Sequence, residues 1–328
     1  MNISRRHFLQ SVGVSVSFPA FSKHAFALNF PSRNVRVIVP FPPGGPNDVL
    51  ARTVGKRVSS IWGQGVIVEN KAGANTQIGA QFVARSEPDG YTLMVTSDTT
   101  GVINPLLYRK LPYDAFRDFV PISGIAKNCQ ALFAAPSLLV DTTADLIALA
   151  KSKPGELNFG TFGRGSSGHL FTEMFQQIAG INIALVHYAG TQPALTDLMA
   201  GQIQVLFANA STGAPLAKDG HIKILGIGSQ KRLAQIPDVP TISESGLPGF
   251  DTYSWFGLYA PANVPREIVV KINSDIQSVL MDADLKSNFL DAYMFEPMIG
   301  GPEEFSKVIE TDSRKWEKVI REANLQLD

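Results

Sequence analysis

The sequence predicts a mainly parallel α/β protein built as two lobes. Short β-branched runs alternate with apolar residues at helical spacing, the pattern of strands joined by crossover helices. That pattern restarts near Ala131. A chain of 328 residues also exceeds what one ordinary core encloses.

Val35-Arg36-Val37-Ile38-Val39 reads as the first strand, broken by Phe41-Pro42-Pro43-Gly44-Gly45-Pro46-Asn47-Asp48. Val49, Leu50, Val54, Val58, Ile61 and Trp62 then recur at helical spacing, with Asn47 or Asp48 as the cap. Residues 65–69 form a second strand, 73–84 a short helix stopped by Pro88-Asp89-Gly90, and 91–96 a third strand. The second series begins with a strand at 131–135 and a helix at 143–152. A strand at 157–161 runs into Gly163-Arg164-Gly165-Ser166-Ser167-Gly168, and residues 169–179 follow as a helix. Strands at 184–188, 203–207 and 222–227 accompany a helix at 193–200. Irregular Pro/Gly-rich chain precedes residues 253–259, and beyond Pro265 the chain is helical at 268–280, 285–290 and 302–323. Such a tail suits a chain that crosses back onto its first lobe. The expected division is 28–124 with 249–328 as one lobe and 125–248 as the other.

Composition narrows the function. Lys+Arg and Asp+Glu both number 29, so no basic excess points to nucleic acid. A single cysteine, Cys129, rules out an internal disulfide, and five scattered histidines speak against a metal centre. No cofactor is expected. The chain opens with Arg5-Arg6, a weakly apolar stretch and Ala25-Phe26-Ala27, a small-x-small pattern, which resembles a twin-arginine export signal cleaved after Ala27. Removing residues 1–27 takes away Arg5, Arg6 and Lys23 and no acid, leaving a net charge of −3. The mature protein is expected in the periplasm.

Gly163-x-Gly165-x-x-Gly168 sits between a strand and a helix, as a dinucleotide fingerprint would. The acid that should follow about 20 residues later to hold a ribose is replaced by His187 and Tyr188. Neither Ser166 nor Ser167 has glycine two residues to each side, so the nucleophile elbow of a hydrolase is also absent. Backbone N–H groups and hydroxyls at a helix start suit a carboxylate instead. Phe41 to Asp48 lacks the Gly-Lys-Ser/Thr of a phosphate loop, yet its stiff, bare backbone follows a strand where open α/β sheets bind ligands.

Taken in order, the motifs resemble one family. They run from Val39-Pro40-Phe41-Pro42-Pro43-Gly44-Gly45-Pro46-Asn47-Asp48 with Ala51-Arg52, through Val68-Glu69-Asn70-Lys71-Ala72-Gly73-Ala74, Pro88-Asp89-Gly90-Tyr91 and Ile103-Asn104-Pro105. They continue with Gly165-Ser166-Ser167-Gly168-His169-Leu170, Tyr188-x-Gly190-x-x-Pro193-Ala194, Pro237-Asp238-Val239-Pro240-Thr241 and Gly246-Leu247-Pro248-Gly249. The chain is similar to the Bug-type receptors, the extracytoplasmic solute-binding proteins of tripartite tricarboxylate transporters. The resemblance implies a periplasmic-binding-protein fold of the Venus-flytrap, type II-like kind, with the ligand cleft between two lobes. It implies a small organic carboxylate as ligand, integral membrane transporter subunits as transient partners, a monomer, and no catalysis. Phe41, Pro43, Gly44 and Gly45 would form one wall, with Ser97, Asp98 and Thr99 beside it. Gly165, Ser166 and Ser167, with Tyr188, Ala189, Gly190 and Thr191, would form the other, near Ala208 and Asn209.

Three positions depart from the family pattern. Thr76 stands where glycine is frequent, Gly101 where histidine is common, and Ala208 where aspartate is common. Loss of that acid would enlarge the pocket or favour a less hydrogen-bonded, aromatic ligand. Two other readings stay open from the residues alone: an exported enzyme on a similar scaffold, and a receptor that presents its closed form to a signalling partner.

Overall fold

The computed structural model describes residues 30–328, so the expected export signal lies outside the described residues. β1 (Val35–Val39), α1 (Pro46–Trp62), β2 (Val66–Asn70), α2 (Gln77–Ala84) and β3 (Thr92–Ser97) open the first lobe. β1 pairs in parallel with both β2 and β3. A π-helical turn (Thr99–Ile103) leads into α3 (Asn104–Leu107), and β4 (Phe119–Ala134) follows. The second series is α4 (Thr143–Ser152), β5 (Asn158–Thr161), α5 (Ser167–Ala179), β6 (Ala184–His187), α6 (Thr191–Met199), β7 (Val205–Asn209), α7 (Ala210–Lys218) and β8 (Lys223–Ile227). β5 pairs in parallel with β6 and β7. The chain returns along β9 (Tyr253–Pro261) and ends with α8 (Arg266–Leu280), α9 (Ala283–Leu285), a second π turn (Lys286–Leu290), β10 (Phe295–Pro297) and α10 (Pro302–Glu322).

The strands lie in the order β2-β1-β3-β9-β4-β7-β5-β6, with β8 and β10 also paired to β4. β4 is therefore the seam of a two-lobed α/β fold. Its stretch from Phe119 to Cys129 pairs antiparallel with β9, and β10 adds to the same stretch. From Gln130 to Ala134 it pairs with β7 and β8 instead. The sequence predicts only the second part, from residue 131. The first part carries Pro121, Gly124, Lys127 and Asn128, without β-branched runs or alternation. Pairing with β9 holds it, and two register shifts absorb the irregular residues between Pro121 and Ser123 and between Gly124 and Ala126.

The apolar stripes of the helices meet in cores that cross the seam. Phe159, Phe171, Phe175, Phe207 and Phe250 are fully buried in the second lobe, and their cluster continues to Trp255, Phe305 and Trp316. α10 joins the two sides. Its Asp312 accepts from Tyr253 Oη at 2.9 Å and from Trp255 Nε1 at 2.7 Å, which seats the helix on β9. Four residues on, the Trp316 ring lies 5.5 Å from Phe171 on α5, and Gln177 Nε2 donates to the Val319 carbonyl. α10 thus also touches α5 of the second lobe.

Trp316 is 1 % exposed, and its Nε1 finds no partner among the described residues. Its contribution is therefore packing. Trp316→Ala is expected to cost about 3–5 kcal/mol in urea unfolding. Trp316→Phe keeps a ring against Phe171 and removes an unpaired donor, so its expected cost is about 1 kcal/mol. Equal losses for the two variants would contradict this account.

Candidate ligand-binding cleft

The loop after β1 is pinned from beneath. Gly44 N–H donates to Asp48 Oδ2 at 2.9 Å, and Asn70 Nδ2 donates to the Phe41 carbonyl at 3.1 Å and to Asp48 Oδ1 at 2.9 Å. Arg52 ties the two together, donating to Asp48 Oδ1 at 3.0 Å and to Asn70 Oδ1 at 2.9 Å. Burial works to raise the Asp48 carboxyl, but Arg52, the Gly44 N–H and Asn70 outweigh it and hold the group below its ordinary range. Asp48 is thus a loop anchor. The helix cap expected at Asn47 or Asp48 is instead Gly45, with Pro46 in the first turn. Pro43 and Gly44 stand exposed at the tip, and Gly44, at φ 83°, has open space where a side chain would be.

The second element of this wall turns inward. Ser97, Asp98 and Thr99, at the end of β3, are all buried. Asp98 is fully enclosed; its Oδ1 accepts from Thr99 N–H at 2.8 Å, and its Oδ2 has no partner among the described residues. Burial first, then repulsion by Asp312, pushes the carboxyl up to about 8, so Asp98 is largely neutral at pH 7.

In the second lobe, β5 ends in the Gly/Ser loop. Ser166 caps α5: its Oγ accepts from His169 N–H at 3.3 Å and donates to the Gly163 carbonyl at 2.7 Å. Gly165 N–H donates to His169 Nδ1 at 3.1 Å. Two of the donors the sequence offers for a ligand are thus spent inside the loop. Ser167 Oγ remains at the helix start, 3.4 Å from Ser254 Oγ. After β6, Tyr188 Oη donates to Asp197 at 2.8 Å, while Ala189 is exposed and Gly190, at φ 140°, starts α6 ahead of Thr191. At the end of β7, Ala208 is buried in the apolar core of the second lobe. Its neighbour Asn209 takes the polar position, with Oδ1 accepting from Gln130 Nε2 at 2.6 Å.

Gln130 belongs to a polar band that the sequence reading missed. Asn128 and Gln130 lie two apart on β4 and share a face. Ser254 stands opposite Asn128 on β9, and Asn209 opposite Gln130 on β7. Gln130 Nε2 also reaches Ser254 Oγ at 3.4 Å, and Gln130 Oε1 has no partner among the described residues. The sequence signal was four successive residues with polar or thiol side chains, Lys127 to Gln130, before an apolar run. It becomes readable only once residues 119–130 are known to be strand.

All these loops follow the carboxyl ends of parallel strands, β1 and β3 in one lobe and β5, β6 and β7 in the other. The two sets meet: Asn75 Nδ2, in the loop after β2, lies 3.4 Å from the Gly165 carbonyl. Four helices start there. α5 is capped by Ser166, whereas α1, α6 and α7 have no side-chain cap among the described residues. α1 starts on Pro46 and carries Asp48 in its first turn, whereas α6 and α7 have no acid there, so their first-turn N–H groups and the positive ends of their dipoles suit an anion.

Asp98 gives a signed pH dependence. A carboxyl whose folded pKa exceeds its unfolded value contributes stability below about 3.8, and that contribution is lost as pH rises towards 8. Asp98→Asn keeps the acceptor for Thr99 N–H and cannot ionise. It is expected to match the parent in urea unfolding at pH 4 and to exceed it at pH 8. A variant weaker than the parent at pH 8 would show that the ionised carboxylate is wanted.

Comparison with known proteins agrees with this architecture. The sequence profile of the tripartite tricarboxylate transporter family receptor matches residues 50–325. BugT of Bordetella pertussis is 33% identical over 328 residues, covering 100% of both chains. A solved R. palustris protein with adipate is 36% identical and superposes with a TM-score of 0.85, over 90% of this chain and 99% of its own. MatC from Rhodopseudomonas palustris, with bound malate, is 29% identical with a TM-score of 0.79, over 89% and 100%. With two lobes on a shared sheet and most of its length matched, the chain belongs to the tripartite tricarboxylate transporter receptors of the Bug type.

Proposed function

We propose that the protein is a periplasmic receptor that captures a small organic carboxylate between its lobes and delivers it to an integral membrane transporter of the tripartite tricarboxylate type. It acts as a monomer and makes or breaks no bond. The observation that carries this reading is the set of helix starts at one mouth, three of them without a side-chain cap. The relatives solved with adipate and malate support the same ligand class.

The moving bodies are residues 30–129 with 253–328, and residues 130–252. These breaks lie a few residues along from those the sequence suggests, because β4 changes sheets at Cys129 and Gln130. A second crossing lies beside it, where Gly228 N–H donates to the Gln130 carbonyl and Thr252 N–H to the Gly228 carbonyl.

In this reading the ligand carboxylate is held by backbone N–H groups at the starts of α6 and α7, together with Ser167 and Thr191. Phe41, Pro43, Gly44 and Gly45 close the opposite side as a stiff surface. Asn209, held by Gln130, faces the ligand's remaining polar groups. Each neutral donor to a charged acceptor contributes about 1.5–3 kcal/mol, so a few suffice without a buried ion pair.

A thermal-shift series tests the ligand class. Adipate, malate and tricarboxylates are screened beside their uncharged amides. At least one acid is expected to raise the melting temperature by several degrees at 100-fold excess over Kd, where mass action contributes about 2.7 kcal/mol, while the amides do not. A panel in which no carboxylate moves the transition overturns the assignment. Calorimetry with the best acid then compares two variants. Ser167→Ala is expected to lose more affinity than Arg164→Ala, since Arg164 is exposed. The reverse order would place recognition in an ion pair.

A further inference from the structure

Ala74, Asn75 and Thr76, in the loop between β2 and α2, have φ values of 46°, 48° and 74°. None is glycine, and β-branched Thr76 is held furthest from its preference. The restraint comes from one buried residue. Asn104 Nδ2 donates to the Asn75 carbonyl at 2.7 Å and to Thr76 Oγ1 at 3.1 Å, and Asn104 Oδ1 accepts from Asn75 Nδ2 at 2.9 Å. Thr100 Oγ1 donates to Thr76 Oγ1 at 2.9 Å. Every one of these groups belongs to the first lobe.

One hydrogen of the Asn75 amide is left over, and it points at the second lobe. Asn75 Nδ2 lies 3.4 Å from the Gly165 carbonyl. Gly165 is shaped for that approach. At φ 75° it holds the left-handed conformation, and a Cβ there would lie 2.7 Å from Leu327 Cδ1, 3.3 Å from Leu107 Cδ1 and 3.5 Å from Asn75 Nδ2. We propose that Asn75 is a closure latch, held ready by Asn104, which takes the Gly163–Ser167 loop by the Gly165 carbonyl when the lobes meet. Because Asn104 fixes both faces of Asn75 within one lobe, closing orders no side chain at the latch. Asn75 is thus a positioning residue: it acts on the ligand through the loop that bears Ser167. The proposal rests on the cleft reading only in taking that loop as a ligand wall.

The test measures lobe separation without ligand. Cysteines replacing exposed Glu87 and Thr196 carry spin labels, and buried Cys129 does not compete. The parent is expected to show a short-distance population. Asn75→Gly relieves the φ of 48° and removes the amide, while Asn75→Asp keeps the size and turns the donor into an acceptor facing a carbonyl. Both are expected to move population to longer distances. Thr76→Gly relieves strain without touching the amide and is expected to keep the parent's distribution. Melting curves confirm that all are folded. With adipate as probe, Asn75→Gly is expected to release ligand about three- to tenfold faster, the effect of one neutral hydrogen bond. A parent lacking the short-distance population, or Asn75 variants that match the parent, overturns the latch. A parent whose distances respond to no acid of the thermal-shift panel overturns the carboxylate reading instead, and the ligand-free comparison still decides the latch.

Discussion

One 16-residue strand, β4, is hydrogen-bonded into both sheets, and a strand in that position has two sets of neighbours to satisfy. In its first part it must pair with β9 and β10, in its second with β7 and β8. At the changeover, between Cys129 and Gln130, the pairing partners change, and the side chains there are buried. Polar residues stand there. Asn128 and Gln130 take the face on which Ser254 arrives from one lobe and Asn209 from the other. The same geometry that joins the lobes therefore places a polar floor between them. The cleft is a consequence of how one strand is shared.

How much of this a reader of the sequence could foresee depended on whether the signal was local. The β-branched run at Val35–Val39 and the helical spacing after Pro46 need no partner to be recognised, and both elements lie where expected. The first part of β4 could not be read, because Pro121, Gly124 and Asn128 are tolerated there only through bulged pairing with β9, a segment more than a hundred residues away. α7 was missed because Pro215 sits inside it, and β10 because it is three residues long. In the cleft, the Gly-rich loops were legible as backbone next to strand ends. The spending of their donors was not. That Gly44 N–H is taken by Asp48, and Gly165 N–H by His169, depends on rotamers that spacing does not reveal.

The two walls are held in different ways, and the difference bears on recognition. The loop after β1 is fixed by a charged network, Asp48 with Arg52 and Asn70, which also takes the Gly44 N–H at its tip. An arginine used in this way is neutralised by its own aspartate, so it adds rigidity without adding positive charge to the cleft. The second wall's loops are held by bonds among their own residues, Ser166 to the Gly163 carbonyl, Gly165 N–H to His169 and Tyr188 to Asp197, and by helix starts. Its field is that of backbone dipoles, fixed in direction and unable to collapse onto a ligand as a lysine would. A rigid surface facing oriented dipoles discriminates by shape and by where the charge lies.

Behind the first wall the lobe keeps an unusual store of buried polarity: neutral Asp98, the Thr76–Thr100–Asn104 cluster, and Tyr113 donating to the Thr100 carbonyl at 3.0 Å. Each group could have been replaced by an apolar one at a gain in stability, since buried polar pairs seldom return the full loss of their hydration. What the cluster supplies is direction. Apolar packing cannot hold three successive residues at positive φ, because it fixes volume and leaves the orientation of an amide free. Hydrogen bonds to both faces of Asn75 do fix it, and they fix it before the second lobe arrives. Gly101 follows Thr100 in the chain, beside this cluster. A Cβ at this position would stand 2.7 Å from the Tyr259 hydroxyl, so the bare backbone leaves room for that ring, whose hydroxyl has no partner among the described residues. The network at Thr76 lies wholly within the first lobe. It trades stability in the lobe for a backbone already set in the shape that closure requires.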